Sequence, residues 1–194
     1  MENIQITNEE YDKLIKRIEF YDTTRNQLLT FSFTSVLTVL GVSLAIEMNL
    51  LSVWICLIPF FLIIPFTARI SYYRLASAHI NSFLRKFYAV NMQFELGTDF
   101  VNEGKCRHYK IIAWLVNHEM VLLGLATSCI FYLKYIFLID QWNFCNYIGG
   151  IIPLILMLVV YMIADSTFAY KKIINTFSKE WEQYLSRRSN EGKK

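Results

Sequence analysis

The sequence predicts an all-α integral membrane protein with four transmembrane helices, arranged as two hairpins, and long amphipathic helical extensions in the cytosol. Of its 194 residues, 55% are hydrophobic and only 18% are charged. Soluble domains carry about 25% charged residues. A helix that crosses a bilayer needs roughly 20 mostly apolar residues, and four runs of this kind occur, at 28–46, 50–68, 120–139 and 147–169.

Residues 1–96 are predicted to form a cytosolic helix, the first hairpin and a long arm. The helix at 6–24 has apolar residues at helical spacing and acidic residues in its first turn, where they suit the helix dipole. A polar turn at 47–49 separates the first two spans. Pro59 and Pro65 lie inside the second span, and proline removes a backbone donor there, so we expect a kink.

The second span is predicted to continue as an arm to Glu95. From Ile70 onwards, apolar side chains recur every three or four residues, as in the seam of a coiled coil. Such a seam packs against another helix, either in the same chain or in a second copy. The candidates for this packing are Tyr73, Ile80, Leu84 and Phe87.

Residues 97–194 follow a similar pattern, with the second hairpin, a cytosolic C-terminal helix and a polar tail. The C-terminal helix is predicted to run to about Ser186 and carries an apolar stripe on one face. Phe177 and Trp181 lie in this stripe and are further candidates for arm packing or oligomerisation.

The distribution of positive charge predicts the orientation. Of the 19 Lys and Arg residues, four precede the first span, seven lie between the second and third spans, and seven follow the fourth. Lys134 alone lies near the outer side, where we expect it to reach towards the surface. Lys and Arg accumulate in cytoplasmic loops. We therefore predict a multi-pass protein of the plasma or inner membrane with both termini in the cytoplasm.

Thr30, Thr34 and Thr38 share one face of the first span because they are four residues apart. One interpretation is that this face packs closely against another helix through small side chains. The other is that it lines a pore, where hydroxyl oxygens replace part of the hydration shell of an ion. The sequence leaves both interpretations open.

Besides Lys134, four ionisable residues at or inside the apolar runs are candidates for a functional role. His118 and Glu119 stand at the predicted cytoplasmic end of the third span, either as the mouth of a path or as a polar cluster that ends the span. Asp165 lies within the fourth span, and acids inside membranes usually face a bundle interior or a water path. Arg69, at the inner end of the second span, is a candidate ion-pair partner for Asp165.

The sequence carries no familiar motif of a catalytic, metal or cofactor site. It contains no GxSxG, HExxH or Walker loop, and its four cysteines have no CxxC spacing. We predict that the protein is not an enzyme and has no cofactor and no metal site. The predicted partners are membrane lipids, further copies of the chain, and a cytosolic protein or nucleotide-signal system, without direct binding of nucleic acid.

Three segments resemble the SLATT-type membrane effectors of bacterial conflict systems. They are KLIKRIEFYDTTRNQLLTF leading into the first span, the EMN turn, and RISYYRLASAHINSFLRKF after the second span. The resemblance is one of architecture over residues 1–95, and the second hairpin departs from the two-span pattern of the family. It implies a homo-oligomeric pore or channel that disrupts membrane integrity or potential on activation, in bacterial antiphage defence. The alternatives are a membrane-anchored sensor or scaffold that holds a cytosolic partner, and a small transporter.

Overall fold

The described part of the chain is helical almost throughout. The computed structural model describes residues 7–88, 111, 114–116, 118–139, 144–165 and 170–191, and no strand occurs among them. The predicted all-α class is therefore confirmed for these residues. Their six helices are α1 (Asn8–Ala45), α2 (Leu50–Ile55), α3 (Phe60–Tyr88), α4 (Glu119–Leu138), α5 (Phe144–Asp165) and α6 (Tyr170–Glu191). The predicted polar link and the end of the long arm lie outside the described residues.

The predicted N-terminal helix and first span are one continuous helix, α1, of 38 residues. The hydroxyl of Thr7 accepts a hydrogen bond from the backbone N–H of Glu10 at 3.2 Å and caps the start of α1. The stretch between the two predicted segments, TTRNQ, contains no glycine or proline. Because nothing there breaks the backbone hydrogen bonds, the helix continues where the pattern of polar and apolar residues changes.

The second apolar run was predicted as one kinked span, 50–68, but the structure divides it into two helices on either side of residues 56–59. The N–H groups of Cys56, Leu57 and Ile58 donate to carbonyls three residues earlier, at 3.1, 2.9 and 3.1 Å. This tighter turn separates α2 from α3, because the proline ring clashes with the carbonyl four residues before it and offers no N–H. Pro65 lies inside α3 without ending it.

Four helical segments are long and apolar enough to cross a membrane, and they indicate a membrane-embedded protein. The third predicted span differs from α4 by one residue at each end, whereas α5 begins earlier than predicted, at Phe144. The four segments are Asn8–Ala45, Leu50–Arg85, Glu119–Leu138 and Asn146–Ala164.

The chain divides into two compact units that cut across the two predicted halves, 1–96 and 97–194. Each of the long helices α1 and α3 contributes one part to each unit. The first unit consists of Met1–Thr24, Tyr72–Trp114 and Thr167–Lys194, and the second consists of Arg25–Ser71 and Leu115–Ser166.

The second unit has a densely packed apolar core. Within it, α4 packs against α5 and α2. The side chains that are fully or almost fully buried come from α1, α2, α3, α4 and α5, and burial of this apolar surface stabilises the unit. They include Val36, Val53, Phe60, Ile63, Phe131 and Val160.

Candidate functional site

A groove of about 820 Å³ runs along the part of α1 that belongs to the second unit. We call it the threonine groove. Three apolar side chains of α1 form part of its lining: Leu29, Phe33 and Leu37. Its polar lining consists of Asn26, Thr30, Thr34 and Thr38 from α1 and Glu119 from α4. The structure thus brings together the three threonines and Glu119.

The three groove threonines lie on the exposed face of α1, whereas two of its three serines lie on the buried face. Ser32 and Ser43 are buried in the core of the second unit. Thr30, Thr34 and Thr38 are all exposed. In a single chain, α1 therefore packs into the core through Ser32, Val36, Leu40 and Ser43 and not through the threonine face.

Each threonine hydroxyl of the groove donates its hydrogen to the backbone. The Thr30 hydroxyl donates to the carbonyl of Asn26 at 3.0 Å. The Thr34 and Thr38 hydroxyls donate to the carbonyls of Thr30 and Thr34, each at 2.8 Å. A hydroxyl has one hydrogen to donate and two lone pairs that accept. The three side chains consequently present acceptor oxygens to the groove.

Glu119 enters the groove from the first residue of α4, where a carboxylate suits the positive end of the helix dipole. The neighbouring Met120 accepts a hydrogen bond on its sulfur from the Ser32 hydroxyl at 3.7 Å, which holds the start of α4 beside the middle of the stretch of α1 that lines the groove. His118 precedes α4 and is half-buried outside the lining. Arg25 donates to Oδ1 of Asn26 at 3.4 Å, so a cation adjoins the groove.

The predicted ion pair between Arg69 and Asp165 stays a prediction. Arg69 lies on α3 and its side chain is exposed. Asp165 is the last residue of α5, and its side chain lies outside the part of the structure that is described.

The arm candidates on α3 pack inside the first unit of a single chain. Ile80 and Leu84 are buried, and the ring of Tyr73 lies 5.7 Å from the ring of Tyr21. The side chain of Phe87 is not among those described. The partly buried side chains around Ile80 and Leu84 are Tyr11, Leu14, Ile15, Ile18, Tyr21 and Phe83.

The two candidates on α6 also face the arm. The ring of Trp181 stacks on His79 with centroids 5.0 Å apart, and Phe177 meets the edge of His79 at 4.9 Å. Phe83 lies 4.8 Å from Trp181. These aromatic contacts join α6 to His79 and Phe83 of the arm, which are the sequence neighbours of the seam residues Ile80 and Leu84.

Comparisons with known proteins identify no relative. No protein-family model, no curated protein and no solved structure matches the chain. Among the described side chains there is also no group of three or more His, Cys, Asp or Glu that could hold a metal ion.

The sequence did not reveal the buried position of Lys134. We expected this side chain to reach the surface, but only 5% of it is exposed, and its ammonium donates to the backbone carbonyl of Ser43. Ser43 lies in the last turn of α1, where carbonyls lack helical partners and the dipole is negative. The sequence does show a lysine inside an apolar span. Charged residues in such spans usually face the interior of the bundle, so this position was a signal for burial.

Two tyrosines of α4 donate hydrogen bonds to the backbone of α5. Neither was among the site residues predicted from the sequence. The Tyr135 hydroxyl donates to the carbonyl of Asn146 at 2.6 Å, and the Tyr132 hydroxyl donates to the carbonyl of Gly150 at 2.5 Å. At Gly149, an added Cβ would lie 2.6 Å from the hydroxyl oxygen of Tyr135. The two helices therefore approach closely because glycine leaves room for the tyrosine.

Proposed function

We propose that the protein is a homo-oligomeric membrane channel or pore in which the threonine groove lines the conduction path. The observation that supports this proposal most directly is a face of exposed hydroxyls on a helix that is apolar enough to cross a membrane. In contact with lipid, the acceptor oxygens of this face would meet hydrocarbon, where polar atoms lose the hydrogen bonds of water. A water-filled path between copies of the chain removes that cost.

The proposal requires several copies because the described core of the second unit leaves no room for a path. Phe60, Ile63 and Phe131 fill that core and are at most 1% exposed. The groove, in contrast, is open on the outside of the unit. Copies that place α1 around a common axis would enclose the threonine faces, as channels enclose rings of oxygen ligands.

The orientation and the biological role belong to the same proposal. The bias of Lys and Arg supports cytoplasmic termini and two membrane hairpins. The resemblance to SLATT-type effectors supports a role in antiphage defence, in which an open pore collapses the membrane potential or breaches the membrane. The membrane would then be the bacterial inner membrane.

Ion flux through purified protein in liposomes tests the proposal. We expect the wild-type protein to form oligomers in lipid nanodiscs and to conduct ions, and Thr34→Val to reduce flux without changing oligomer size. Thr24→Val is the matched control, because the Thr24 hydroxyl also bonds to the carbonyl four residues earlier, at 2.8 Å, but lies outside the groove lining. A wild-type monomer in nanodiscs, or wild-type liposomes without flux, would rule out the channel.

The organisation of the first unit favours a second candidate, a membrane-anchored sensor or scaffold. This unit has its own buried residues, Ile80 and Leu84, and its own aromatic contacts around Trp181. A separate compact unit can bind a cytosolic partner whether or not the spans conduct. This function would replace the channel if the protein conducted no ions yet bound a soluble protein encoded beside it.

A further inference from the structure

We infer that the threonine groove selects cations, an inference that rests on the proposed channel function and specifies what passes through it. The groove combines two features that act in the same direction. Its hydroxyl oxygens are oriented as acceptors, and the ionisable side chain in its lining is a carboxylate. Each feature favours a positive ion over an anion.

The direction of the hydroxyl hydrogens decides the polarity of the threonine face. A free hydroxyl can turn its hydrogen towards an anion or its lone pairs towards a cation. In the groove, the hydrogens of Thr30, Thr34 and Thr38 point at backbone carbonyls, at 3.0, 2.8 and 2.8 Å. An anion would therefore have to break these bonds to find a donor, whereas a cation finds acceptors already in place.

The spacing of the oxygens suits an ion that moves along the helix. Four residues of α-helix advance by about 6 Å along its axis. Thr30, Thr34 and Thr38 thus form three levels of acceptors on one face of α1. Several weak sites in succession allow an ion to enter and also to leave, which conduction requires.

Two charged side chains at the groove have opposite effects on its preference for cations over anions. Glu119 lines the groove, and its carboxylate attracts cations from solution. Arg25 lies outside the lining but donates to Asn26 at 3.4 Å, so its guanidinium opposes that attraction. Removing the two charges one at a time should therefore shift the selectivity in opposite senses.

Reversal potentials of the purified protein in planar bilayers of phosphatidylethanolamine and phosphatidylglycerol test the inference. Across a KCl gradient, we expect the wild-type reversal potential to be shifted from zero towards the equilibrium potential of potassium. The current should fall when N-methylglucamine replaces potassium and persist when gluconate replaces chloride. Glu119→Gln should move the reversal potential towards zero, and Arg25→Gln should move it further towards the potassium value.

The hydroxyl contribution is tested by a pair of variants at one position. Thr34→Val should lower potassium conductance about tenfold, a loss comparable to that of one contact between a polar group and a charge. Thr34→Ser keeps the oxygen and its bond to the Thr30 carbonyl, so it should recover most of the conductance that Thr34→Val loses. Unchanged elution volumes on size exclusion would exclude misfolding of either variant.

The possible results separate this inference from the proposed function. If the protein conducts but prefers chloride, or if neither charge variant changes the reversal potential, cation selection is wrong. The proposed channel function would be unaffected by either result. Wild-type protein that carries no current in these bilayers would overturn the channel and cation selection with it.

Discussion

At the scale of single residues, Lys134 shows how this protein accommodates a charge inside an apolar unit. Burial of an ammonium costs several kcal/mol unless other groups compensate for the lost hydration. Here the compensation comes from the Ser43 carbonyl and the negative end of the α1 dipole. The same contact supplies a donor to a carbonyl that lacks one within the helix, and it fixes the end of α1 that follows the threonine groove.

Gly149 offers a sharp test of the packing between α4 and α5. We expect Gly149→Ala to lower the free energy of unfolding by about 1–3 kcal/mol, because the new methyl group overpacks the site. The Tyr135 hydroxyl that it would meet, at 2.6 Å, is held by its bond to Asn146. Thermal unfolding in detergent measures the change.

Gly41→Ala is the matched control for that experiment. Gly41 also lies within a helix, but an added Cβ there would meet nothing within 4 Å. Alanine should therefore leave stability unchanged or raise it by up to about 1 kcal/mol through helix propensity. Equal effects of the two substitutions would show that the contact with Tyr135 does not constrain Gly149.

Single residues also show which features can be predicted from sequence. The shared face of Thr30, Thr34 and Thr38 follows from local helix geometry, and the structure displays it along the groove. The burial of Lys134 depends on a carbonyl 91 residues earlier in the chain. The approach of Glu119 to the threonines depends likewise on how α4 packs beside α1. Spacing along one helix contains no information about such neighbours.

At the scale of elements, α1 is one continuous helix although its two ends were predicted as separate segments. The residue pattern changes near residue 25 from amphipathic to apolar, where the chain passes from the first unit into the second. The backbone does not respond to that change, since no residue between the segments disrupts a helix. The break near Pro59, in contrast, was predictable because proline acts on the backbone itself.

Proline substitution tests the continuity of α1. Gln27→Pro places a ring in the middle of a 38-residue helix, so we expect it to cost about 3 kcal/mol and to lower helicity by circular dichroism. Asn8→Pro is the control, because proline is tolerated at the first position of a helix. If Gln27→Pro were as mild as Asn8→Pro, α1 would be two helices with a joint near residue 25.

At the scale of the whole molecule, the proposed orientation has a direct chemical test. In a variant without native cysteines, we expect Met48→Cys to react with a membrane-impermeant maleimide added to intact cells, because the proposed topology places the 47–49 turn outside. Glu10→Cys should react only after the cells are opened, because the Lys and Arg that follow it favour a cytoplasmic position for that end. The opposite pattern of labelling would invert the proposed topology.

The packing of the arm determines where an oligomer can form. Leu84 is fully buried among side chains of α1 in the same chain, although its spacing alone fitted a seam between copies equally well. A surface that is already covered within one chain cannot also bind a second chain. We therefore expect the copies to associate through their membrane spans, with the arms serving to stabilise each subunit.

Leu84→Asp distinguishes these two roles of the arm. The carboxylate would be buried in an apolar cluster, so the first unit should loosen and become sensitive to protease, while the subunit number in nanodiscs stays the same. Tyr72→Asp is the control on the same helix, because Tyr72 is 58% exposed and the substitution should change neither property. Dissociation of the oligomer by Leu84→Asp, with the protease resistance of the first unit retained, would instead place the interface between subunits on the arm. The threonine groove would then have to be enclosed by an assembly that the arms hold together.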